Sequence, residues 1–174
     1  MNETLRTILE RRSVKKYKPD PVAKDLIEQV VEAGTFAATG RNLQSPIIIA
    51  VTNKAVRDEL SRINAEVMGA SGDPFYGAPC VLVVLADKSV SRNYIYDGSL
   101  VMGNLMLAAT SLGLGSCWIH RAKETFELPE GKALLKKLGI DGDFEGIGNC
   151  VIGYADCPQP EAKPRKENWV YFVE

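Results

Sequence analysis

The chain has 174 residues, 45% apolar and 25% charged, which suits a single globular domain spanning 1–174 with a hydrophobic core of its own. Its 21 basic and 22 acidic residues nearly cancel, so composition offers no general field for nucleic acid or an anionic membrane surface. The four cysteines form no C-x-x-C pair and are expected to be buried free thiols, as in a reducing, cytoplasmic compartment.

The N-terminal MNETLRTILERR carries early acids and no apolar run, so it is not expected to act as a secretory signal. Within it, Leu5, Ile8 and Leu9 share one face of a predicted helix over 3–11. A second helix is expected over 24–38, with Leu26, Ile27, Val30 and Val31 inward, followed by a loop at 39–46. The β-branched run at 47–52 reads as a strand, 54–68 as a helix with Arg57 on its solvent side, and 69–79 as a loop. Residues 80–86 read as the second strand, 94–112 as a buried helix and 116–119 as the third strand. A helix over 129–138 begins at a proline suited to its first turn, and 150–154 is a fourth strand. The segment from Gly98 to Ile119 is free of charge, but its glycines and polar residues suit a buried helix and strand better than a membrane span. Helices and strands alternate irregularly, which favours α+β over a doubly wound sheet. The tail WVYFV (169–173), beyond a proline-rich linker, is a β-prone segment suited to a sheet some distance away, in this chain or in a partner.

Several catalytic sets are excluded. His120 is the single histidine, which rules out a His-rich zinc site, and no G-x-S-x-G element presents a nucleophilic serine. GLGSCW (113–118) and GIGNCV (146–151) each lack a third glycine and precede a strand, which is the wrong context for a dinucleotide fingerprint. What remains is basic. Arg11, Arg12, Ser13, Lys15 and Lys16 lie near the N-terminus, and Lys163, Arg165 and Lys166 near the other end. Arginine forks and hydroxyls match phosphate oxygens, but charge alone leaves solvated turns and a phosphate site both open.

RRSVKKY (11–17), GRNLQSP (40–46), YGAPCVLVV (76–84), DGSLVMGNLMLAATSLGLGSCWI (97–119) and KPR (163–165) follow in order along nearly the whole chain. Together they resemble the FMN-dependent nitroreductase family. The resemblance implies an α+β fold with a central, mostly antiparallel sheet flanked by helices and a C-terminal extension exchanged in a homodimer. It implies bound FMN, NAD(P)H as reductant, and a nitroaromatic, quinone or similar small-molecule acceptor. Reductive dehalogenation, flavin breakdown and a non-catalytic flavin-binding or redox-sensing role are the alternatives the same resemblance carries. Arg11, Lys163 and Arg165 are then expected on the phosphate, with Arg12 beside them. Ser13 and Lys15 are expected at the ribityl chain and pyrimidine edge, and the backbone of Ile119 and His120 near N5. Asn42 and Gln44 are expected to reach the flavin across the dimer. The chain departs from the pattern where Ser45 separates Gln44 from Pro46, and where His120 stands at a position commonly small. The imidazole is either an ordinary core or edge side chain or a proton donor to the acceptor.

Overall fold

The computed structural model describes all 174 residues. In chain order the elements are α1 (Glu3–Glu10), α2 (Lys24–Thr35), β1 (Pro46–Val51), α3 (Lys54–Met68) and β2 (Cys80–Asp87). They continue with α4 (Tyr94–Ser111), β3 (Gly115–Ile119), α5 (Ala122–Glu127), α6 (Pro129–Lys137) and β4 (Phe144–Gly153). The strands lie in the order β1-β2-β4-β3, and every neighbouring pair is antiparallel. The α+β fold with an antiparallel sheet and flanking helices is the one expected.

The unbroken apolar run of β2 follows from its place in the middle. Side chains alternate between faces with a period of two, and helices cover both. Val81, Val83 and Leu85 meet Leu60, Phe75 and Phe126 on one side. Leu82 and Val84 meet Val30, Val101, Met102 and Leu105 on the other. α4 is therefore a core helix, and no helix is long and apolar enough to cross a membrane. The bounds of α3 are set by local chemistry. Asn53 accepts from the Val56 amide at its start, and Gly69, at φ 64°, donates to the Ala65 and Glu66 carbonyls at its end.

The structure departs from the sequence reading at several places. β4 begins at Phe144 rather than Cys150, so its first half includes Gly146 and Gly148. These glycines allow close packing: a Cβ at 148 would lie 2.5 Å from Trp118 Nε1. α5 has only six residues, too few to show an apolar period. Arg57 is not on the solvent side. Its guanidinium is buried, donating from Nε to the Ala78 carbonyl at 3.0 Å and pairing with the Asp73 carboxylate. Leu5, Ile8 and Leu9 of α1 are exposed, and the segment Trp169–Val173 forms no strand within the chain and is exposed throughout.

Candidate active site

After α1 the chain runs extended along the edge of the sheet. Val14 donates to the Ser116 carbonyl at 3.0 Å, and Lys18 to the Tyr154 carbonyl at 2.9 Å, while Asp156 donates to the Lys16 carbonyl at 3.0 Å. Val14 and Tyr17 are buried, and the Tyr17 hydroxyl donates to the Val14 carbonyl at 2.8 Å. Gly115 allows this approach, because a Cβ there would sit 2.9 Å from Val14 Cγ2. With Val14 and Tyr17 pinned inward, Ser13, Lys15 and Lys16 turn outward. Together with Arg12, Cys157, Pro158 and Pro160 they line an open cleft of about 530 Å³.

The basic groups in this region differ in what they already bind. Arg12 Nη1 donates to the Leu9 and Arg11 carbonyls at 2.7 and 2.8 Å, closing the C-terminal end of α1. Lys16 pairs with Asp156 at 2.9 Å. Lys15 has no ion-pair partner, and its Nζ lies 6.0 Å from the centre of the Tyr76 ring. Arg11 Nη1 is buried without a hydrogen-bond partner. Arg12 Nε is buried without a partner as well, although buried guanidinium nitrogens are ordinarily paired. Burial pushes the Cys117 thiol up, and nearby Ser13, Lys15 and Arg11 oppose the rise, so these three converge on one patch of β3.

The sequence model of the nitroreductase family matches residues 8–154. The chain belongs to the nitroreductase family. It is 28% identical to the NADPH-flavin oxidoreductase of Vibrio harveyi, across 95% of this chain and 70% of that protein. A nitroreductase with bound FMN from Bacteroides fragilis superposes with a TM-score of 0.90 at 29% identity, covering 100% of both chains. The FMN-bound nitroreductase of Desulfitobacterium hafniense gives 0.88 at 27% identity, again over 100% of both.

The other expected site residues of this nitroreductase-family chain lie at three places. Ile119 ends β3 and is buried, while His120 beyond it is exposed, its ring 5.8 Å from that of Trp118. Asn64 of α3, fully buried, donates from Nδ2 to the His120 carbonyl at 2.8 Å, and its Oδ1 has no partner. Lys163 and Arg165 lie exposed on the tail, with Arg165 Nη2 donating to the Lys163 carbonyl at 2.7 Å, and neither lines the cleft. Gln159 tethers the start of this tail to the Glu10 carbonyl at 2.7 Å, beside Arg11.

Asn42 and Gln44 lie far from all of these. Their turn precedes Pro46, which pairs with Ala86 at one end of the outer strand β1, whereas Ser13 pairs with Ser116 on the opposite edge strand near the other end. At about 4.8 Å between strands and 3.3 Å per residue, the two groups sit roughly 25 Å apart, at diagonal corners of the sheet. Arg41, Asn42 and Gln44 all adopt positive φ, and Gln44 Nε2 donates to Asn42 Oδ1 at 3.1 Å.

Sequence reasoning missed Asn64, whose only signal was an amide four residues after Leu60 on the inward face of a charge-rich helix. It also missed the turn at Asp73–Gly77 that places Tyr76. There Asp73 accepts from the Ser61 hydroxyl at 2.5 Å and from the Phe75 and Gly77 amides at 2.8 Å each. Burial by itself would raise the Asp73 pKa, but the Arg57 guanidinium, Ser61 and the two amides outweigh it and hold the carboxyl below its usual value.

Proposed function

We infer that this chain is an FMN-dependent NAD(P)H oxidoreductase acting on nitroaromatics, quinones or similar small acceptors. The observation that carries this reading is the buried, unpartnered Arg11 Nη1 beside Ser13 and Lys15, in a chain that matches FMN-bound nitroreductases along its whole length. FMN, when bound, would supply the redox chemistry, two-electron hydride transfer from NAD(P)H to the acceptor.

The chain's own part is binding and electrostatics. Arg11 answers the phosphate, with Lys163 and Arg165 on the tail as the further cations for it. Arg12 orders the α1 end from which Arg11 projects. Ser13 offers a hydroxyl to the ribityl chain. Lys15 brings a positive charge with no competing carboxylate, the input that tunes a bound redox ring. The backbone of Ile119 and His120 borders the ring, held in place by Asn64. The residues act as one domain over 1–174.

Asn42 and Gln44 sit too far from Arg11 to serve the same flavin within one chain. A homodimer resolves this, with each 40–46 turn reaching the flavin of the partner subunit. The exposed apolar faces of α1 and of the 169–173 segment support the same assembly. Three buried free thiols suit a reducing cytoplasm. Burial pushes Cys80 up to about 12 and raises Cys150 as well, which makes thiol-based redox chemistry a poor fit. An absorbance spectrum of the purified protein, followed by anaerobic titration with NADH and NADPH, tests the reading. Oxidised-flavin bands that bleach with a nicotinamide are expected; absence of flavin uptake rejects it.

A further inference from the structure

A second basic cleft lies at the corner of the sheet remote from Arg11. It has a volume of about 690 Å³ and is lined by nine residues, among them Arg41, Lys88 and Arg92, with no acid among the nine. Lys88 is engaged with Asp143 at 3.1 Å. The Arg41 and Arg92 side chains are exposed, and neither guanidinium has a hydrogen-bond or ion-pair partner. Asp143 thus answers Lys88, and Arg41 and Arg92 are left as two unpaired cations facing one hollow that no carboxylate lines.

The walls of this cleft are built, not merely adjacent. Asp97, buried on α4, accepts from the Gly40 amide at 2.9 Å and from the Ser91 hydroxyl at 2.9 Å. One carboxylate thus fastens the turn carrying Arg41 to the segment carrying Arg92. The contact is close enough that a Cβ on Gly40 would meet Asn93 Nδ2 at 2.7 Å. Ser91 Oγ also accepts from the Asn93 amide at 3.1 Å, fixing the residue next to Arg92. Two free planar donors are held on the two walls of one hollow, an arrangement matched to phosphate-type oxygens.

We propose that the Arg41–Arg92 cleft is an anion subsite that holds a phosphate-type group of the molecule exchanging electrons with the flavin. It rests on the reading above in one respect, that the Gly40–Leu43 turn faces the flavin of the partner subunit. A group anchored here lies beside that flavin while the reacting end of the same molecule reaches the ring. The phosphates of the nicotinamide dinucleotide and the anionic group of an acidic acceptor share this chemistry.

The test uses the full-length flavinated protein and the variants Arg41→Gln, Arg92→Gln and the double substitution. Arg62→Gln, an exposed arginine on α3, is the control. Calorimetric titration with 2′,5′-ADP and with inorganic phosphate reads the cleft directly, and steady-state KM values for NADPH and NADH identify its user. Loss of two charge-assisted contacts is expected to weaken binding of the anion probe by about tenfold or more in the double variant. A KM raised for NADPH alone assigns the cleft to the 2′-phosphate, and one raised for both nicotinamides assigns it to the pyrophosphate. Unchanged KM values with lost probe affinity assign it to an acidic acceptor. No probe binding by the parent protein, or equal affinity in the double variant, overturns the proposal. Failure to take up flavin would instead reject the functional reading, because probe titration of the flavin-free protein still reads the cleft.

Discussion

Asn64 Nδ2 donates to the His120 carbonyl at 2.8 Å, joining two residues 56 positions apart in sequence and fixing the backbone where β3 ends. Arg121, directly after, takes a left-handed φ of 78°, so this turn is held against a local preference. Replacing Asn64 with Ala removes this part-buried hydrogen bond and is expected to cost about 0.5–1.5 kcal/mol, measured by urea unfolding. Asn64→Ala is also expected to retain less FMN than the parent, read from the ratio of flavin to protein absorbance. Undiminished flavin with lowered stability would limit Asn64 to a packing role.

Arg11→Ala and Arg165→Ala are each expected to weaken FMN binding by roughly ten- to 150-fold, the loss of one charge-assisted hydrogen bond of about 1.5–3 kcal/mol. Arg62→Ala is the appropriate reference, since Arg62 is exposed and pairs only with Glu59 and Glu66 along its own helix. Arg57 is unsuitable as a reference because its guanidinium is buried on Asp73 and the Ala78 carbonyl. Fluorescence titration of the flavin-free proteins provides the comparison, and equal affinities for Arg165→Ala and Arg62→Ala would remove Arg165 from the site.

Asp73→Asn is expected to destabilise the fold by about 2–3 kcal/mol at neutral pH, because it leaves the buried Arg57 without its main counter-charge. The sign with pH follows from the lowered Asp73 pKa. Its contribution is complete above the unfolded carboxyl value of about 3.9 and fades as pH falls through the lower folded value. Parent and variant stabilities should therefore differ most at neutral pH and converge in strong acid. Parallel unfolding curves from pH 7 down to pH 2 would show that Asp73 is not linked to folding in this way.

Deleting residues 168–174 is expected to weaken the dimer and lower flavin content together. The segment presents Trp169 and Phe172 to solvent, the latter 85% exposed. Burying such side chains contributes about 1.5–3 kcal/mol each, about 3–6 kcal/mol for the two, so the dissociation constant of the dimer should rise by roughly 10²- to 10⁴-fold. Analytical ultracentrifugation over a dilution series, with flavin absorbance followed in the same cells, measures both quantities. A truncated protein that stays dimeric and fully flavinated would place the tail outside the interface.

His120→Ala keeps the backbone amide and carbonyl proposed to border the ring and removes only the imidazole. Flavin content is expected to stay at the parent level, while KM for a quinone or nitroaromatic acceptor shifts. Identical acceptor kinetics in the variant would make the ring a surface partner of Trp118 and nothing more.

The sequence by itself determined those features that depend on neighbours within a turn or a strand. The helix over 54–68 and the strand at CVLVVLA were legible from pattern and lie where they were expected. The basic run RRSVKKY left solvated turns and a phosphate site both open, while five motifs in order made the family legible. Tertiary structure alone decided which of those charges remain free. Arg12 Nη1 is taken by the end of α1 and Lys16 by Asp156, while Arg11 Nη1 and Arg12 Nε are buried without a partner. No periodicity could reveal that Arg57 turns inward, because Asp73 and Ala78 reach it from a separate loop. Likewise the apolar stripe of α1 was plain, but a stripe says only that a surface must be covered, not by what. The distance between the Asn42 turn and Arg11 depends on strand order and register, which are set by pairings between residues remote in sequence.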